Sequence, residues 1–152
     1  MEKNKNSKTQ QDKWLLLDNQ LCFRLYSASK AITQAYTPLL DTLNLTYPQY
    51  LSMLVLWETD SISVKDLGER LNLDSGTLSP LLKKLEAKNF VVRKRLATDE
   101  RVVTVTLTTK GRDLKKKAIE VPNQMLCKMD LKMKDAVDLQ KKLDELLSKL
   151  NE

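Results

Sequence analysis

The chain has 152 residues, about the size of one ordinary domain, and at 41% apolar and 30% charged it has the composition of a folded, soluble protein. Histidine is absent and there are only two cysteines, Cys22 and Cys127. This excludes Ser-His and Cys-His nucleophile pairs, imidazole bases, histidine metal sites and a thiolate zinc cluster, so no metal, no cofactor and no enzyme are expected.

The longest apolar run, Met53–Trp57, is five residues, too short to cross a membrane. The opening Met1–Lys13 is polar with no hydrophobic segment behind it, unlike a secretory signal, and reads as a flexible tail. A cytoplasmic protein is expected. Its two thiols are then reduced core residues or a redox device rather than a structural staple.

Apolar residues recur with helical spacing from Trp14 to about Tyr36 (Leu17, Leu21, Leu25, Ala28, Ile32, Ala35), and Pro38 is expected to end that helix. The connection Asp41–Tyr47 leads to a second helix started by Pro48, with Leu51, Leu54 and Val55 on its buried side and an end near Asp60. Two short helices with a tight link follow. Val64, Leu67 and Leu71 form a stripe on Ser63–Leu71, and the link is Asn72–Asp74. Leu78, Leu81, Leu82 and Leu85 then give i, i+3, i+4, i+7, the strongest amphipathic signal in the chain. Asp74, Ser75 and Thr77 offer oxygens to cap that helix, and Pro80 keeps its first turn close upstream.

The pattern next changes to β-branched alternation in Phe90–Leu96 and Val102–Leu107, a hairpin with Ala97–Arg101 as its turn. Thr108 caps a further helix that runs to a break near Pro122. The last segment sets Ala136, Leu139, Leu143, Leu146, Leu147 and Leu150 on one face opposite charged residues. The expected architecture is mainly α with a small β-hairpin: a winged helix-turn-helix at 48–108 between dimerisation helices at 14–47 and 109–152, all one domain from 14 to 152.

Net charge is +6, from 26 basic and 20 acidic residues, and its placement is informative. Nine basic residues against three acids lie between Lys83 and Arg112, an electrostatic footprint suited to double-stranded DNA. The helix Ser75–Lys88 buries its leucines and leaves Ser75, Thr77, Ser79, Lys83 and Lys84 outward for a major groove. Gly76 lets the backbone approach a phosphate at the helix N-terminus, and the wing carries Arg101 toward a minor groove. A helical interaction module that never touches DNA shares the same geometry.

The string Leu73–Glu86 (LDSGTLSPLLKKLE), Asp99-Glu-Arg101 in the wing and Leu107–Gly111 after it resemble MarR-type transcriptional regulators over about Trp14 to Leu150. The resemblance implies a homodimer interlocked by its first and last helices, each winged domain reading one operator half-site. The DNA-contacting residues it implies are Ser75, Gly76, Thr77, Ser79, Pro80, Lys83, Lys84, Arg93, Asp99 and Arg101, with Asp99 positioning Arg101.

Asp18–Tyr26 (DNQLCFRLY) further resembles the organic-hydroperoxide-sensing OhrR branch. That resemblance implies oxidation of Cys22, with Tyr36 and Tyr47 hydrogen-bonding its sulfur and Tyr26 as a third tyrosine of the sensor. It also implies an intersubunit disulfide between Cys22 and Cys127, followed by release from DNA. Spacing tests one part. On one continuous helix Cys22 and Tyr36 are roughly 21 Å apart, so a contact between them takes two antiparallel subunits. An apolar pocket around Leu21, Phe23 and Leu25 would favour an organic peroxide. Three alternatives stand beside this reading: Cys22 as a small buried hydrophobe in a MarR-type repressor released by a phenolic ligand, a spare hydrophobe at Cys127, and a thiol peroxidase.

Overall fold

The computed structural model describes residues 10–150 apart from Ala97. They divide into two compact units, one up to Ala35 and one from Tyr36.

In the first unit Gln10–Trp14 is a short helix, α1, where a continuous tail is expected; the tail's residues 1–9 lie outside the described residues. A single 3-10 turn, Leu17–Asn19, separates α1 from α2, Leu21–Asp41. The helix expected from Trp14 therefore starts at Leu21, because the side-chain amides of Asn19 and Gln20 donate to the carbonyls of Lys13 and Trp14 and close a local turn. Pro38 does not end α2, which continues to Asp41. The lost N–H bond and ring clash fall in the last turn, and there Leu40 is buried in the core, 1% exposed.

In the second unit α3, Tyr47–Glu58, begins after Thr46, whose backbone N–H donates to Gln49 Oε1 at 3.1 Å, and Pro48 sits in the first turn. The expected buried side of α3 needs correction. Leu51 is half-buried and Leu54 exposed, while Tyr50, Ser52, Met53, Val55 and Leu56 are buried. A helix packed on more than one side has no single stripe for periodicity to find. The Ser52 hydroxyl is satisfied by the Pro48 carbonyl at 3.1 Å.

Helix α4, Val64–Leu71, is capped by Ser63 Oγ accepting from the Asp66 N–H at 3.0 Å. Helix α5, Ser75–Ala87, is capped by Asp74. Leu67, Leu78, Leu82 and Leu85 are all at most 1% exposed, so the leucine spacing does build the core of the helix-turn-helix. Strands β2, Val91–Leu96, and β3, Asp99–Leu107, pair antiparallel with Val91 opposite Leu107 and Arg93 opposite Val105. The turn is thus shorter than Ala97–Arg101, and Arg101 lies in a strand. A two-residue strand, β1 (Ile62–Ser63), adds to the other edge of β3, giving the order β1-β3-β2.

Long-range polar contacts close this unit. Asp60 accepts the N–H groups of Leu107 at 2.8 Å and Ser61 at 2.9 Å, and pairs with Arg112 at 2.8 Å. Arg112 lies on α6, Thr109–Ala118, which Thr108 caps by accepting the Gly111 N–H at 3.0 Å. The Trp57 indole donates to the Gly111 carbonyl at 2.9 Å. A Cβ at Gly111 would lie 2.0 Å from the Phe90 carbonyl oxygen, so only glycine lets α6 start this close to the hairpin.

Glycine is scarce because the left-handed turn positions are filled otherwise. Asn44, Ser61, Asn72, Asn89 and Asp130 all have φ between 52° and 61°. Asn and Asp tolerate that region best among non-glycine residues. The chain ends with α7, Val121–Lys128, and α8, Met133–Leu150. Among the described residues no helix is long and apolar enough to cross a membrane.

Candidate nucleic-acid interface and thiol site

The first turn of α5 is built around Asp74. Its Oδ1 accepts the Thr77 N–H at 2.9 Å and its Oδ2 accepts the Thr77 hydroxyl at 2.8 Å. These bonds hold the carboxyl below its usual range and keep it ionised at neutral pH. A Cβ on Gly76 would come within 3.0 Å of Asp74 Oδ1, so the glycine also leaves room for this cap. Ser75, Gly76, Thr77 and Pro80 are exposed, Ser79 is half-buried, and Lys83 and Lys84 point to solvent one turn further on.

Several cations of the basic segment are engaged within the chain. Lys88 donates to the Asn44 carbonyl at 2.7 Å and to Gln49 Oε1 at 2.9 Å; burial, and then the Lys84 cation, lower its pKa. Lys110 donates to the Lys88 carbonyl at 2.9 Å. Arg93 pairs with Glu86, and Arg112 with Asp60. The charge run therefore serves in part to hold the chain's own elements together.

At the wing Arg101 takes both oxygens of Asp99, Nε to Oδ1 at 3.1 Å and Nη2 to Oδ2 at 3.2 Å, and its own N–H donates to Oδ1 at 3.0 Å. The arginine side chain is 91% exposed. The Asp99 carboxyl is held low first by the guanidinium and then by the backbone N–H of Arg101. An outward guanidinium aimed by a local carboxylate is the geometry expected for Asp99 and Arg101. Arg93 differs, because its side chain is only 26% exposed and faces Glu86.

Cys22 lies in the first turn of α2, and its side chain is exposed, as is that of Cys127 in the last turn of α7. Neither is a buried hydrophobe in the chain. The expected pocket around Cys22 is open, with Leu21 65% exposed and Leu25 also exposed. Tyr26, also exposed, has the Lys30 ammonium 5.4 Å from its ring.

In the second unit Tyr36 and Tyr47 do come together, with ring centroids 4.9 Å apart. Tyr50 joins them, 5.9 Å from Tyr36 and 6.4 Å from Trp57. Burial, and then the neighbouring Tyr47, raise the Tyr36 pKa; burial and both neighbours push Tyr50 up to about 12. Both phenols therefore stay protonated at neutral pH. Tyr50 was missed by sequence reasoning although it stands three residues after Tyr47 and so shares its helix face. Beside it Leu54, Trp57, Ala118, Ile119 and Pro122, together with Glu58 and Lys115, line a mainly apolar cleft of 330 Å³.

Comparison with known proteins agrees with this geometry. The profile of the SarA/Rot transcriptional regulators matches residues 34–119. An organic hydroperoxide resistance transcriptional regulator of Bacillus subtilis is 47% identical over 136 residues, 90% of this chain and 92% of that protein. Reduced AbfR bound to DNA, the Staphylococcus epidermidis protein, superposes with a TM-score of 0.78 at 32% identity, covering 93% of this chain and 99% of that one. Disulfide-formed AbfR superposes with a TM-score of 0.64 at 32% identity, covering 93% and 94%. A winged helix-turn-helix with an outward recognition helix, together with these matches across nearly its whole length, places the chain in the MarR- and SarA/Rot-type family of DNA-binding transcriptional regulators, among those of the organic hydroperoxide resistance kind.

Proposed function

We propose that the chain is a homodimeric repressor that binds operator DNA when reduced and leaves it when an organic hydroperoxide oxidises Cys22. The observation that carries this reading is the state of the two thiols. Both are free and exposed, and Cys22 stands on a helix whose apolar residues Leu21, Leu25 and Ile32 are exposed as well. Helix α8 likewise exposes Leu139, Leu147 and Leu150. Apolar faces of this extent are the mark of a subunit interface, and a second copy covers them in the proposed dimer.

The chemistry balances without a cofactor. The Cys22 thiolate attacks the terminal oxygen of ROOH, the O–O bond breaks, and the alkoxide leaves as ROH after taking a proton. The product is a sulfenic acid. The Cys127 thiol of the other subunit then attacks that sulfur, forming the S–S bond and releasing water. Tyr36 and Tyr47 of the other subunit supply phenol hydroxyls to orient the sulfur or the peroxide, and the cleft beside Tyr50 accommodates an apolar R group. The disulfide form of the 32% identical AbfR supports the second step. Bringing two Cα atoms to within about 7 Å moves helices, and a small rotation separates recognition helices that must sit one DNA turn apart. The protein acts as a sensor consumed once per oxidation rather than as a peroxidase.

The test is DNA binding by the reduced protein under titration with cumene hydroperoxide, with non-reducing gels in parallel. Wild type is expected to release DNA as a crosslinked dimer appears, whereas Cys22→Ser neither releases nor crosslinks, and Cys127→Ser stops at the sulfenic acid, forms no crosslink and keeps DNA bound at the dose that releases wild type. Release by Cys22→Ser at the wild-type peroxide dose would end the peroxide reading and leave a ligand-released repressor.

A further inference from the structure

Two arginines of the wing are each gripped by a carboxylate, and the two grips differ in kind. Asp99 and Arg101 are two residues apart on β3, so their pair is local and leaves the guanidinium 91% exposed. Glu86 and Arg93 belong to different elements, the last turn of the recognition helix α5 and the strand β2. Arg93 Nε and Nη2 donate to Glu86 Oε2 at 3.0 and 2.7 Å, and the Arg93 backbone N–H donates to Oε1 at 3.0 Å. Both oxygens of Glu86 are used on one residue. Both the backbone and the side chain of that residue are tied. Three charge-assisted bonds between a helix and a strand fix their relative angle, and a half-buried pair of this geometry is costly to open.

We propose that Glu86 withholds Arg93 from DNA phosphates and uses it to lock the wing to the recognition helix, which makes Glu86 a positioning residue that sets selectivity for operator over other DNA. The inference rests on the reading that α5 and Arg101 face DNA. The reason is additive. A released Arg93 contributes attraction to any phosphate backbone, whatever the sequence. A locked hinge instead requires the helix in one groove and Arg101 in the next to fit together, and only the right duplex satisfies both. Arg93 is thereby moved from the expected DNA contacts to the scaffold that aims them.

The measurement is fluorescence anisotropy on two duplexes over about 50 to 200 mM salt. One duplex is recovered from a randomised library by selection with the reduced wild type, and the other is its scrambled counterpart. Arg93→Met is expected to weaken the selected duplex several-fold while leaving the slope of log affinity against log salt unchanged. A phosphate ligand removed from each subunit of the dimer would flatten that slope by about 1.8. Glu86→Gln is expected to bind the scrambled duplex several-fold tighter, with a slope steeper by about 1.8 because each dimer frees two arginines, and the double variant to return that slope to wild type. Flattening by Arg93→Met, or a steeper slope persisting in the double variant, overturns the proposal. Arg93→Gln, which keeps an amide donor for Glu86, repeats the measurement if Arg93→Met unfolds. Arg101→Ala tests the underlying reading separately. Unchanged binding of both duplexes by that variant would fail the DNA face itself, whatever Glu86 does.

Discussion

The helix-turn-helix with its wing and the long helices at the chain ends are built on opposite terms. Between Asp60 and Leu107 the helix-turn-helix leucines are largely covered by the chain itself, with Leu67, Leu82 and Leu85 fully buried and Leu96 of the wing exposed, and carboxylates at Asp60, Asp74, Glu86 and Asp99 each have hydrogen-bond partners. On α8 none of the six apolar residues of the stripe is buried, and Leu150 is 72% exposed. The same amphipathic spacing thus has two outcomes. Where neighbours along the chain supply a second layer, the stripe becomes a core. Where they do not, it is left as a surface that favours association. The winged unit is covered within one chain, and the apolar stripe of α8 is not.

The largest expected effect comes from breaking the finished side. Leu82→Ala removes a fully buried side chain and is expected to cost about 2–5 kcal/mol in urea or thermal unfolding of the reduced protein, enough to unfold a marginal domain. The companion substitution Leu147→Ala, at a residue 54% exposed in the chain, sharpens the contrast if it costs far less in a dilute, monomeric sample. An equal loss from both would mean that α8 is packed within its own chain.

The unfinished side is broken by charge. Leu139→Asp with Leu147→Asp is expected to weaken self-association by about 100-fold or more in analytical ultracentrifugation, since each leucine forfeits about 1.5–3 kcal/mol of burial in the proposed dimer. Far-ultraviolet circular dichroism of the winged region's helices should be retained. An unchanged sedimentation coefficient would place the subunit contact elsewhere.

The smallest effect lies at Asp60. Burial works to raise its pKa, but the N–H groups of Leu107 and Ser61 and the Arg112 guanidinium outweigh it and hold the carboxyl below its ordinary value. A depressed carboxylate stabilises the fold above its unfolded pKa, and that contribution is lost as pH falls through the lower folded value. Wild type should therefore be more stable than Asp60→Asn at neutral pH, with the two melting curves converging as pH drops below about 4. A gap that stays constant to pH 3 would show that the amide's altered hydrogen bonding, not ionisation, is responsible.

The sequence by itself determined the parts whose causes lie within a few residues. Leucine spacing located α5, and Asp74 and Thr108 marked helix starts, because a turn of helix and its cap are neighbours in sequence. The pairing of Asp99 with Arg101 came from the resemblance of the wing to that of MarR-type regulators, and the contact itself is local, between residues two apart. What only the tertiary structure decided depends on residues far apart. Asp60 meets Leu107 across 47 residues and Trp57 meets Gly111 across 54, separations that no periodicity encodes. The strand β1 is two residues long and exists because β3 lies beside it. Pro38 stays inside α2, where Leu40 is held in the core, against a local preference to stop. The partner of Arg93 also came only from the fold, although Glu86 stands just seven residues before it. A cationic side chain in a basic run reads as a DNA contact until the fold brings Glu86 within 2.7 Å, and electrostatic attraction at that distance, partly shielded from water, holds it there.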